Sequence, residues 1–191
     1  MPLKEILTEE HRFDAPGPLI AIAEEHKYVL RLLVLLEKEA HILCEGKPAD
    51  MECMSHILNY ITHYPDKYHH PKEELIFDRM VNANKETQRI IRSLRKGHDH
   101  VGETGQAVAD EIALVATTNS KRKREALGKH TLSYIHGLRD HIRLEETKIF
   151  TPALELLSEA DWLAIDKEIK PIIDPVFGKN HNSEHKMLLS R

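Results

Sequence analysis

Cysteine is scarce in this chain of 191 residues: there are only Cys44 and Cys53, and they do not form a C-x-x-C pair. So few cysteines suggest a reducing compartment rather than a disulfide framework. Aromatic residues make up 5%, and Gly and Pro number 8 and 9. With so few chain breakers, and with Leu, Ile, Ala, Glu and Lys dominant, helix is favoured over strand. Long apolar runs are also missing. Arg31 interrupts the best candidate, Tyr28 to Leu36, which is far short of the roughly 18 residues a membrane span needs. The N-terminus has no signal-peptide apolar region, so the expected location is cytoplasmic. Positive charge is not in excess either. A net charge of -4 argues against binding driven by nucleic-acid phosphates. Low-complexity segments are absent.

Histidine, by contrast, is abundant, at 14 residues. The stretch His69-His70-Pro71-Lys72-Glu73-Glu74-Leu75-Ile76-Phe77 is echoed by His141-Ile142-Arg143-Leu144-Glu145-Glu146-Thr147-Lys148-Ile149-Phe150. Each reads His, three residues, Glu-Glu, then an apolar pair ending in Phe. On a helix, residues i and i+4 share a face, so each stretch can aim an imidazole and a carboxylate at one point. No other internal repeat is present.

The chain divides into an N-terminal extension (1–17) ending in Pro16-Gly17-Pro18, a helical body (18–157), and a short helix with a tail (158–191). A first helix is expected from Leu19 to about Cys44, with Leu19, Ile22, Ala23, Val29, Leu30 and Leu33 around His26, and it is closed by Gly46 and Pro48. A second begins near Asp50 and keeps an apolar stripe in phase through His69, Glu73, Ile76 and Met80, although Pro65 and Pro71 should kink or break it. A third spans about Lys85 to Ala116, with Ile91, Leu94, His98, Val101 and Val108 on one face. A fourth runs from about Lys121 to Leu156 through Leu127, His130, Tyr134, Leu138, His141, Glu145 and Ile149. Ser158 to Asp161 resembles a capping box opening a short fifth helix with Trp162 and Ile165 inward; Pro171 and Pro175 end it, before a polar tail. Four long helices with short connections predict an all-α, up-down-up-down four-helix bundle with a short extra C-terminal helix.

Helix phase selects among neighbouring candidates. His98 lies among Ile91, Leu94 and Val101, whereas His100 has Ser93, Lys96 and Glu103 around it. Glu73 shares a face with Ile76, Phe77 and Met80, while Glu74 has Lys67 and Asp78. Glu145 ranks above Glu146 for the same reason, and His70 falls at the rim. His130, in phase with His141, is assigned to the core or to support of the site. His56, His63, His136, His181 and His185 are assigned to the surface or tail. His41 with Glu45 has the i+4 spacing but sits at a helix end, and Lys121 to Arg124 reads as a solvated helix start.

The inward set is therefore His26, His69, Glu73, His98, His141 and Glu145. A single buried histidine is ordinarily a hydrogen-bonded core residue. Four in one bundle, with two in-phase carboxylates, point instead to a bound cation, since an uncompensated buried carboxylate costs several kcal/mol, an order of magnitude only. Imidazole with carboxylate suits iron, manganese or zinc. Two octahedral ions offer about twelve positions. The six side chains leave some of these open to oxygen, nitric oxide or peroxide.

These residues resemble the hemerythrin-like, HHE cation-binding domain family. The resemblance covers about 18–157 and rests on Glu25-His26, His69-His70-Pro71-Lys72-Glu73-Glu74, Gly97-His98-Asp99-His100-Val101-Gly102, and His141 through Glu146 to Pro152. It implies a non-heme pair of iron ions bridged by two carboxylates and an oxo or hydroxo group, with His26, His69, Glu73, His98, His141 and Glu145 as ligands. Oxygen-carrying hemerythrins have a further His one turn after the third-helix ligand, where this chain has Gly102. The chain thus looks more like the four-His, two-Glu branch, which includes proteins of iron-centre repair, nitric oxide response and iron sensing. The repair proteins add an N-terminal cysteine-bearing domain, which residues 1–17 are too short to hold. The expected partner is a small diatomic ligand or peroxide, with no nucleic acid and no membrane; a homodimer stays open, as does enzymatic turnover.

Two other classes compete. A mononuclear zinc site would use four ligands and leave two idle. A purely structural bundle would act through protein contacts. The ferritin-like arrangement uses Glu-x-x-His pairs, and no Glu precedes a His by three residues anywhere in the chain.

Overall fold

The computed structural model describes residues 15–170. Residues 1–14 of the expected extension, the terminating prolines Pro171 and Pro175, and the tail with His181 and His185 lie outside the described residues. No strand occurs among the described residues. Helix α1 spans Gly17–Cys44, α2 Met51–Tyr64, α3 His70–Arg79, α4 Lys85–Ala116, α5 Lys121–Lys148, α6 Phe150–Leu156 and α7 Glu159–Glu168. A π-helical turn, Pro65–His69, joins α2 to α3. The bundle is all-α and antiparallel: α1 packs on α2 and α5, and α4 packs on α2 and α5.

Local chemistry sets the helix starts. The side chain of Asp50 accepts from the Cys53 N–H at 2.9 Å, and Asn84 accepts from the Thr87 N–H at 2.9 Å. Ser158 and Asp161 form a reciprocal capping box at α7. Trp162 and Ile165 of α7 are buried, and Arg79 of α3 pairs with Glu168.

Prolines shape two of the helices. Pro65 and Pro71 do not break the second helix. Twelve residues separate Ile61 from Glu73, whereas three α-turns take about eleven. The π-turn, closed by the His70 N–H donating to the Pro65 carbonyl, absorbs the surplus residue and keeps His69 and Glu73 on the inner face. The fourth helix does not run unbroken to Leu156. It bends at Ile149, whose φ is -115°, because Pro152 has no N–H to donate to the Lys148 carbonyl four residues back, and its ring crowds that carbonyl.

The core has two apolar clusters. One contains Leu33, Leu36, Met54, Ile57, Ile112 and Ile135; the other contains Ile22, Ile76, Ile91, Ile149 and Ile165. Each fully buried Leu or Ile stabilises the fold by about 1.5–3 kcal/mol. Between the clusters lies a polar layer.

Candidate metal centre

Helices α1, α3, α4 and α5 and the π-turn each place a donor in that layer. His26 comes from α1, His69 from the end of the π-turn, Glu73 from the first turn of α3, His98 from α4, and His141 with Glu145 from α5. His26, Glu73 and Glu145 are 1%, 2% and 1% exposed, and His69 and His98 are also buried; His141 is nearly so. All six side chains named from helix phase therefore meet in one place.

The geometry has two poles. Glu73 Oε1 lies 3.3 Å from His69 Nε2 and 3.8 Å from His26 Nε2, while its Oε2 lies 3.3 Å from His98 Nε2. Glu145 mirrors this: Oε2 is 3.4 Å from His26 Nε2, and Oε1 is 3.3 Å from His98 Nε2 and 2.8 Å from His141 Nε2. Each carboxylate thus turns one oxygen to the His26/His69 pair and the other toward the His98/His141 pair. Both Glu73 oxygens and His141 Nε2 are buried without a hydrogen bond of acceptable geometry among the described residues. Donor atoms crowded together yet left without hydrogen bonds fit a cation at this position.

In the metal-free chain protons balance the charge. Burial opposes ionisation of His26, but Glu146, Glu73 and Glu145 outweigh it and raise its pKa to about 10. His98 is likewise opposed by burial and raised to about 9 by Glu145 and Glu73. His69 is shifted upward against burial, chiefly by Glu73 and Glu25. Burial pushes the carboxyl of Glu73 up, yet His69, His26 and His98 hold it well below the usual carboxylate range. Glu145 is also lowered, by His141 and His98, against burial and the Glu73 charge.

Support around the two poles is unequal. His26 Nδ1 faces Glu146 Oε1 at 3.1 Å, and His69 Nδ1 faces Glu25 Oε2 at 2.9 Å. Glu25 is itself held by the buried Lys72 ammonium and by the Tyr64 hydroxyl at 3.3 Å. No described residue gives the Nδ1 of His98 or His141 a hydrogen bond or ion pair. Instead His98 stacks on His70, ring centroids 3.8 Å apart, and His141 rests against α4. Gly97 permits that approach: a Cβ there would lie 2.8 Å from His141 Nδ1.

Two spaces adjoin the centre. A cavity of about 30 Å³ is lined by His26, His69, His141 and Glu145 together with Thr62, Asp66, His70 and Gly102. That is about the volume of one water molecule. Burial and the neighbouring His98 lower the pKa of His70 to about 3, and its Nδ1 lies 3.1 Å from Asp66 Oδ1. An open groove of about 540 Å³ runs between α4 and α5 past His141.

Some assignments from sequence need correcting. His130 is not in the core: it is 62% exposed and pairs with Glu111 at 2.7 Å. Its helix phase is right, but the small residues Ser133 and Gly137 leave that edge of α5 as the wall of the open groove. His56, assigned to the surface, is half-buried, with its Nδ1 enclosed. Glu146, ranked below Glu145, is buried too, because it faces His26 on α1. Glu25, Lys72 and Glu146 were not singled out as support for the site. The available signal was their place in sequence beside His26, Glu73 and Glu145.

A helical bundle with a buried layer of imidazole and carboxylate defines a helical cation-binding protein. The sequence model of the Hemerythrin HHE cation binding domain matches residues 18–153, and the chain belongs to that family. No curated protein and no solved structure matches the chain. No helix among the described residues is long and apolar enough to cross a membrane.

Proposed function

We propose that the chain holds a non-heme di-iron centre, with His26 and His69 on one ion, His98 and His141 on the other, and Glu73 and Glu145 bridging the two. The observation that carries this reading is the split of each carboxylate, one oxygen to each imidazole pair. A single ion would use one pair and leave the other enclosed without a counterpart. The family's cation-binding character supports the same assignment. Bound iron supplies redox chemistry and an open coordination position.

The chain's own residues shape access to that position. Gly102 contributes no side chain to the small cavity; a Cβ there would come no closer than 3.7 Å to Asp66 Oδ2. Oxygen carriers of the family place a histidine ligand at the equivalent position, so this chain belongs with the four-His, two-Glu branch. The cavity suits oxygen, nitric oxide or peroxide by size. His70 and Asp66 present polar atoms to whatever enters, and the low pKa of His70 keeps it neutral and able to accept or donate one hydrogen bond. The proposed role is binding or sensing such a ligand, or holding iron for repair or homeostasis, rather than simple oxygen carriage.

Anaerobic loading with ferrous ion followed by air tests this. About two irons per chain and an oxo-bridge absorption band are expected. Saturation at one ion, or tight zinc binding with no iron colour, would replace this reading with a mononuclear zinc site.

A further inference from the structure

Resting on the dinuclear reading above, we infer that the two metal positions are functionally unequal: the His26/His69 position is the retained one and the His98/His141 position is the exchangeable one, with Glu146 and Glu25 as the positioning residues that create the difference. The carrying observation is the asymmetry behind the ligands. A metal-bound imidazole whose other nitrogen donates to a carboxylate is locked in tautomer and orientation and is the stronger donor; losing that partner typically weakens metal affinity about 10–100-fold. His26 and His69 each have one, in Glu146 and Glu25. The Glu25 carboxylate is fixed in turn by Lys72 and Tyr64, so its own direction is set before any metal arrives.

At the other pole no described residue gives either imidazole such a partner. His98 is held by stacking on His70, and His141 by van der Waals contact with Gly97. Stacking and contact restrain a ring less tightly than an ion pair, and they add no negative charge behind the donor. Access differs in the same sense. The groove between α4 and α5 reaches His141 but neither His26 nor His69. A chelating small molecule or an iron-accepting protein therefore meets the weaker position first. In this arrangement one ion anchors the bundle while the other can be supplied or withdrawn, which suits a donor or sensor of ferrous iron.

Equilibrium dialysis of the metal-free full chain against buffered ferrous ion, without oxygen, decides this, with bound iron counted by atomic emission. Uptake is expected in two steps, the first at a free iron concentration about 10–100-fold below the second. Glu146→Gln and Glu25→Gln should move the first step toward the second by about tenfold or more and leave the second in place. Gly97→Ala, which pushes a methyl into His141, should move only the second step to higher concentration. Helix content by circular dichroism establishes that each variant is folded, and the wild-type curve stands even if one variant is not. Two ions taken up in equal steps by the wild type, or Glu146→Gln displacing the second step, would overturn the inference while leaving the di-iron reading intact. Uptake that stops at one ion per chain would overturn both.

Discussion

Replacing Glu73 should have consequences that replacing its neighbour Glu74 does not. Glu73 is 2% exposed and faces His26, His69 and His98, of which His26 and His98 are cationic at neutral pH in the metal-free chain. Removing one partner from a buried charged cluster costs about 3–5 kcal/mol. For a chain of this length each kcal/mol is worth about 2–4 °C in Tm, so Glu73→Ala should lower the metal-free Tm by roughly 6–20 °C. The cost should shrink at alkaline pH, where His98 and then His26 lose their protons. Glu74 instead pairs with Arg95 at 2.7 Å on the surface, both groups more than a third exposed, and such a pair contributes about 0–1 kcal/mol. Glu74→Ala should therefore shift the melt by no more than about 4 °C and leave metal uptake unchanged, whereas Glu73→Ala abolishes uptake. Calorimetry at pH 7 with parallel metal analysis reads both. Equal effects from the two variants, or a harmless Glu73→Ala, would show that the helix phase is misassigned by one residue.

Other perturbations follow the same reasoning. His26 and His98 have folded pKa values raised to about 10 and about 9, above the ordinary imidazole value. Their stabilisation of the metal-free chain is thus complete below about pH 6.5 and disappears as pH rises through 9 to 10. Metal-free Tm should fall across that window, and the iron-loaded chain, whose ligating imidazoles are already deprotonated, should not follow it. Iron loading at pH 7 should release protons, measurable in weakly buffered solution. Gly128→Ala would put a Cβ 2.7 Å from the Ala40 carbonyl oxygen; it should cost about 1–3 kcal/mol in the denaturant midpoint and leave the metal count unaltered. Gly102→Val should fill the cavity beside the centre, so azide or nitric oxide should no longer perturb the absorption of the iron-loaded protein although iron content is kept.

Much of the fold was legible because its pattern is local. The four long helices follow from 3.6-residue periodicity with Asp50 opening the second, and the short C-terminal helix from the Ser158 capping box. The convergence of His69 with Glu73 and of His141 with Glu145 follows from i+4 spacing alone. What escaped depended on neighbours in space. The in-phase continuation past Pro65 and Pro71 was legible, but the form of the kink was not: the π-turn is marked only by three consecutive four-residue steps from Ile61 to Glu73. His130 keeps the inward phase of α5, but whether that face is covered depends on the size of the α4 residues opposite, and Ser93, Gly97 and Ala107 leave it bare. Glu25 and Glu146 sit beside ligands in sequence, one position off the stripe. Only the packing of α1 against α3 and α5 turns those flanking positions into partners for His69 and His26.

The central claim is that six side chains from α1, the π-turn, α3, α4 and α5 hold two ions between them. Iron and zinc analysis of the full chain, purified without a metal-affinity resin and reconstituted with both metals in competition, tests it most directly. About two irons per chain, falling to none in Glu73→Ala, is the result expected. One ion per chain, no retained metal, or a metal content indifferent to Glu73 would contradict it.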